Sequence, residues 1–313
     1  MAAMIRFAGI SVNFGDGAGL RDIDLDVPEG ALCVLVGTSG AGKSTLMRLV
    51  NRLVVPSAGT VTLAGKDIAT RDPVELRRGI GYAIQSVGLF PHRTVAENIA
   101  IIPALLGWEK RRITERTDAL MTMLQLDPAL AGRYPHALSG GQAQRVGLAR
   151  ALAADPAVLL MDEPFGAVDP IVRRALRREL AAIHRETGKT ILLVTHDAEE
   201  ALELATLLVV MREGRILAQG SPLELTAMAA DPFVRELLGG AGLPLRRLDL
   251  LHVRDAVRPG EPEAMAPEID ADASQLDALR LMLEHGATSL VVTEAGSAVG
   301  ALRFADLDGR GRT

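Results

Sequence analysis

Residues 37–45 read GTSGAGKST and stand between an apolar run, ALCVLV, and a stretch of helical spacing, LMRLVNRL. The segment matches GxxxxGK[ST], in which glycines let the backbone curl until successive amide N–H groups face one anion. A glycine-rich turn of no chemical consequence would satisfy the same letters. The setting distinguishes the two readings, because an unbroken apolar strand enters this loop and a helix leaves it. A chain built around such a junction is an α/β protein.

The remaining text agrees with that class. IRFAGISVNF and LRDIDLDV read as strands ahead of ALCVLV, and the second alternates cleanly between apolar and polar residues. A half-exposed antiparallel sheet therefore leads into a strand buried on both faces. GYAIQ, AVLLMDE, KTILLVTH and LLVVMREGRILAQG follow as strands between helical patterns. Helical spacing alone marks residues 107–135, and a helical subdomain is expected at about 95–155. At 313 residues the chain exceeds one ordinary core. The text changes character near Leu237, so the expected division is a main domain over 1–240, a linker over 241–251 and a tail over 252–313. In the tail, SQLDALRLMLEHG sets Leu276, Leu279 and Leu283 on one helical face, and Ser274 with Asp277 has capping-box spacing. LVVTE, the turn AGS and AVGALRF complete a small α+β unit.

Composition narrows the partners. A net charge of -5 and a pI near 5.8 supply no basic face for a phosphate backbone, so no nucleic acid is expected. The single cysteine, Cys33, falls in the buried strand and excludes an internal disulfide. No apolar run approaches the roughly 18–20 residues that span a bilayer, and the opening MAAMIRFAG lacks the form of a signal peptide. The chain itself is expected in the cytoplasm. Its 48% hydrophobic content and mean hydropathy of +0.21 hint at a surface for a partner.

The reactive residues follow from the loop. Gly37 and Gly42 shape it, Lys43 reaches the outer phosphates of a nucleotide, and Ser44 offers a hydroxyl to magnesium. AVLLMDE delivers Asp162 and Glu163 at the end of an apolar strand, where two unpaired carboxylates are too costly to be core. Asp162 suits a magnesium ion held through water, and Glu163 suits polarising an attacking water. LSGGQ, from Leu138 to Gln142, opens a further helix and forms a second anion site. Whether the two loops serve one nucleotide stays open on these grounds alone.

GTSGAGKST, GYAIQ, LSGGQ, LLMDE, GAVDP and VTHD, in this order over residues 4–240, resemble the ATP-binding subunits of ABC transporters. The resemblance implies a P-loop NTPase core of the ABC ATPase type, with an antiparallel N-terminal β part and a helical subdomain. It implies ATP and Mg2+ as ligands and a homodimer in which each ATP lies between two chains. One chain would supply Gly37, Thr38, Ser39, Gly40, Ala41, Gly42, Lys43, Ser44 and Thr45, the other Ser139, Gly140, Gly141 and Gln142. Gln85 would contact magnesium and sense the membrane partner, His196 would meet the γ-phosphate, and Asp169 would cross the dimer. Phe14 stands where the family has an aromatic stacked on adenine, more often a tyrosine. Partners implied are integral membrane permease subunits and a separate substrate-binding protein, which places the chain on the cytoplasmic face of the inner membrane.

VNRLVVPSAG, GYAIQSVGLFPHRTVAENIA and MDEPFGAVDPIVRR are further similar to the importers of glycine betaine, choline and proline. Residues 252–309 resemble one cystathionine-β-synthase (CBS) motif, of a kind that related ATPases carry in pairs. There Asp306 matches the ribose-binding aspartate, but Arg303 replaces the expected hydroxyl, which leaves nucleotide binding by the tail in doubt. Import of another small solute, a non-transport ABC ATPase and a ligand sensor acting through the tail remain alternatives at this point.

Overall fold

The computed structural model describes residues 3–15, 19–84, 88–166, 169–228, 230–258 and 266–307, and its contacts divide the chain into two compact units at Gly220/Ser221. In the first, β1 (Ala3–Asn13) and β2 (Gly19–Pro28) form an antiparallel pair before β3 (Leu32–Val36), which is buried at every residue. The loop after β3 opens α1 (Lys43–Val50). β4 (Ala58–Leu63), β5 (Lys66–Asp67), α2 (Pro73–Arg78) and β6 (Ile80–Ala83) come next. Three helices follow, α3 (Val95–Leu105), α4 (Lys110–Met123) and α5 (Gly140–Leu152). The unit closes with β7 (Val158–Asp162), α6 (Pro170–Thr187), β8 (Thr190–Thr195), α7 (Ala198–Leu204), β9 (Leu207–Arg212) and β10 (Arg215–Gly220).

Two sheets share this unit. β2-β1-β4-β5 is antiparallel throughout, and β10-β9-β3-β8-β7-β6 is parallel except for the edge strand β10. The alternating burial of β2 against the unbroken burial of β3, β7 and β8 matches the sequence patterns. One core joins the sheets across α1, whose Leu46, Met47, Leu49 and Val50 are fully buried. Cys33 sits in this core, and burial raises its thiol pKa far above the ordinary value.

The helical layer forms where helical spacing predicts it, with α3, α4 and α5 in mutual contact. Thr94 and Glu97 close a capping box on α3. Asn98, fully buried, accepts from the N–H of Phe90 at 2.8 Å and donates to the carbonyls of Phe90, Arg93 and Thr94, which fixes the loop before the helix.

The second unit contains α8 (Pro222–Met228), α9 (Pro232–Leu238), α10 (Leu243–Leu250), β11 (Glu268–Asp270), α11 (Gln275–His285), β12 (Ser289–Glu294) and β13 (Ser297–Arg303). β11 pairs parallel with β12, and β12 antiparallel with β13. α10, within the stretch read as linker, packs against α8 and α11. The buried face of α11 differs from the expected one: Gln275, Ala278 and Met282 point inward, while Leu283 is 70% exposed. The N–H of Gln275 donates to Leu251 at 2.8 Å and its side chain to His252 at 3.2 Å, which fixes the helix rotation and turns the leucine stripe aside. Asp306 is already engaged within this unit, by Arg258 at 2.6 Å and by the N–H of Arg303 at 3.2 Å.

Gly81 lets α5 approach β6 closely. A Cβ there would lie 2.3 Å from the Leu159 side chain and 2.4 Å from the Ala151 carbonyl. Gly81→Ala should therefore destabilise the first unit by about 1–3 kcal/mol, measured as a lower urea midpoint; an unchanged midpoint would show that α5 can shift freely.

Candidate active site

β3, β8 and β7 are neighbours and run parallel, so their C-terminal ends line up along one sheet edge. The glycine loop leaves β3, His196 follows β8, and Asp162 ends β7 with Glu163 after it. A cavity of about 230 Å³ opens there, lined by Phe14, Gly19, Glu163 and every loop residue from Ser39 to Thr45.

The loop geometry depends on glycine at two points. A Cβ on Gly37 would stand 2.1 Å from the Met211 carbonyl, and Gly42 begins α1 at a φ of 95°, with Leu20 2.6 Å from where a Cβ would be. Lys43 Nζ donates to the carbonyls of Gly37 at 2.7 Å and Thr38 at 2.9 Å, so the ammonium lies folded across the loop. Burial lowers its pKa, against the opposing pull of Glu163 and Asp162.

Ser44 donates to Asp162 Oδ1 at 2.8 Å, and Arg48 Nη2 approaches Oδ2 at 3.5 Å. A hydroxyl and a buried carboxylate side by side, both hard oxygen donors, fit Mg2+ arriving with bound phosphates. Among the described residues no cluster of three or more His, Cys, Asp or Glu could hold an ion unaided. Glu163 Oε1 lies 3.3 Å from His196 Nδ1, which brings together the carboxylate and the imidazole expected to face the reacting phosphate. Phe14 stands 56% exposed at the cavity mouth.

Other expected site residues lie elsewhere. Ser139 caps α5 in a reciprocal box with Gln142, leaving the helix N-terminus with Gly140 and Gly141 free of acidic side chains. None of these four residues lines the cavity around Lys43. Asp169 accepts from the N–H of Val172 in the first turn of α6. Gln85 lies outside the described residues.

A second, larger cavity, about 470 Å³, lies between β6, α3 and the end of α5, with Tyr82, Phe90, Ile101, Ile102 and Leu105 on its walls. Arg150 also lines it and donates to the Gly88 carbonyl at 2.6 Å. Phe90 and Leu105 are 44% and 55% exposed there.

Comparison with known proteins agrees with this geometry. The sequence profile described as ABC transporter matches residues 20–166. The glycine betaine uptake system ATP-binding protein YehX of Escherichia coli K12 is 50% identical over 308 residues, covering 97% of this chain and 99% of that protein. The chain belongs to the ABC transporter ATPases. Hydrolysis of ATP is the activity of that family. The glycine betaine/carnitine/choline transport ATP-binding protein OpuCA of Bacillus subtilis is 42% identical over 292 residues, 93% of this ABC ATPase and 76% of the relative. Among solved structures, the ATP-binding cassette MJ0796, a dimer bound to ADP and Pi, superposes with a TM-score of 0.62 at 28% identity, over 70% of this chain and 99% of that one.

Sequence reasoning passed over the acidic and basic layer beneath His196. Asp197 caps α7 by accepting from Glu199 and Glu200, and Arg173 of α6 stands 3.8 Å from it. Arg177, four residues on, reaches Glu203 at 2.9 Å and Glu199 at 3.7 Å. The spacing of Arg173 and Arg177 on one helix face was the available signal. Glu200 is 4% exposed, and its pKa rises from 4.5 to about 8, first by burial and then by the Asp197 charge.

The folded chain thus holds a proton that the unfolded chain releases near 4.5, so this group's stabilisation is full below that value and is lost as pH rises through about 8. Glu200→Gln should flatten the decline of the unfolding midpoint over that window; an equally steep decline in the variant would assign it to other groups.

Proposed function

We propose that this ABC ATPase energises the import of quaternary-amine osmoprotectants of the glycine betaine and choline type. The observation that carries the substrate class is the likeness to YehX, which extends over 97% of the chain and so includes the tail as well as the ATPase unit. OpuCA, named for transport of glycine betaine, carnitine and choline, supports the same class.

Phe14 receives the adenine, and the amides of residues 37–45 with Lys43 neutralise the phosphates. Ser44, Asp162 and Gln85 would hold Mg2+, which would supply positive charge to neutralise the phosphates. Glu163 polarises the attacking water, and His196, in contact with that carboxylate, meets the γ-phosphate. Ser139, Gly140, Gly141 and Gln142 serve the nucleotide of a second copy, consistent with their place outside the cavity that holds Lys43. Asp169 reaches across the same homodimer. Permease subunits dock in the apolar cavity beside Phe90, which holds the chain at the cytoplasmic face of the inner membrane, and a separate binding protein delivers the solute. We read the tail as one CBS-like motif, on its order of strand, helix and two strands.

Glu163→Gln is expected to bind ATP and to lose turnover by about a hundredfold or more. In cells carrying the native operon, uptake of labelled glycine betaine, choline or carnitine should vanish with that variant. Uptake indifferent to it would leave the ATPase standing and remove the osmoprotectant assignment. Phe90→Asp should retain basal hydrolysis in the purified chain while reducing its sedimentation with permease-containing membranes; full sedimentation would move the docking surface elsewhere.

A further inference from the structure

α5 carries more than the LSGGQ loop at its start. Gln144, 9% exposed and one turn into the helix, donates from its side-chain amide to the carbonyl of Pro164. Pro164 directly follows Glu163, whose backbone holds a φ of 46°. Such a conformation is uncommon outside glycine and persists only where its surroundings determine it. The N–H of Glu163 donates to Val194 at 2.9 Å, and the N–H of Gly166 donates to Glu163 at 3.1 Å. The Gln144 bond adds the hold of the helical layer on that turn.

Stability does not explain a glutamine here. Its Oε1 is buried without a hydrogen-bond partner among the described residues, and an acceptor left unpaired by the protein costs more than one neutral hydrogen bond returns. Around it lie Met161, Phe165, Leu176 and Leu180, which would accept a methionine of similar length. A half-satisfied polar side chain that grips the backbone beside a reacting carboxylate is the mark of a positioning role.

We propose that Gln144 is a positioning residue for Glu163, tying the helix that opens with Ser139–Gln142 to the turn that aims the carboxylate. In the homodimer proposed above, on which this step rests, that helix start faces the partner's nucleotide. A single chain then connects the phosphates of one site to the general base of the other over five residues of helix, from Ser139 to Gln144. Seating of the second nucleotide against α5 sets Glu163 at the first, and the two sites fire together.

The test uses the full chain assembled with its membrane subunits, as wild type, Gln144→Met, Gln144→Glu and Glu163→Gln. For Gln144→Met we expect an unfolding midpoint equal to or above wild type, an unchanged KM for ATP and a kcat lower by about tenfold, the equivalent of one mispositioned contact. Its Hill coefficient for ATP should fall toward one. In Gln144→Glu the carboxylate cannot donate to Pro164, but its protonated form can, and burial favours that form. The ratio of its kcat to wild type should therefore rise as pH is lowered, which a packing role would not produce. Full activity in Gln144→Met, a midpoint that falls together with kcat, or a flat pH ratio in a folded Gln144→Glu overturns the positioning role. An unchanged Hill coefficient overturns the link between sites. Undiminished hydrolysis in Glu163→Gln would instead remove Glu163 from its catalytic role.

Discussion

The parallel register of β3, β8 and β7 is the constraint from which the rest follows. Five residue pairs join β3 to β8 and five join β8 to β7, so the three strands end level with one another. The loop that cradles anions, the carboxylates after β7 and the histidine after β8 owe their closeness to this alone. The 2.8 Å bond from Ser44 to Asp162 then ties the first turn of α1 to the end of β7. Burial of Lys43 and Asp162 in that edge makes their charges count for more than they would in water.

Tension between stability and chemistry is visible around the same edge. Glu163 adopts a left-handed backbone without being glycine, Glu200 is buried as an acid, and Gln144 has an acceptor that no protein group meets among the described residues. Each sits at, or within a few residues of, a group proposed for the reaction. Large buried apolar surfaces on both sides of α1 offset them.

Much of this was legible in the sequence because the signals were local. An apolar run with no alternation could only be a strand covered on both faces, and the glycines and lysine after β3 announced the anion site. LSGGQ announced a helix start, and α5 opens there. What escaped were relations between distant segments. The rotation of α11 is fixed by Leu251 and His252, more than twenty residues away, so the leucine spacing pointed to the wrong face. The grip of Gln144 on Pro164 joins residues twenty apart in sequence, and the contact of Arg173 with Asp197 joins two helices. Periodicity carries no information about such pairings.

Cys33 has a practical consequence. It is the chain's single cysteine, fully enclosed in β3, and its thiol is held protonated by burial. The thiolate is the nucleophile in alkylation and disulfide exchange, so this sulfur is a silent one. The natural chain is therefore already a blank background for thiol chemistry. A cysteine introduced at Phe14, at Ser139 or on the exposed side of α11 would be the sole site to take a spin label, a fluorophore or a cross-linker, with no need to engineer the native residue away.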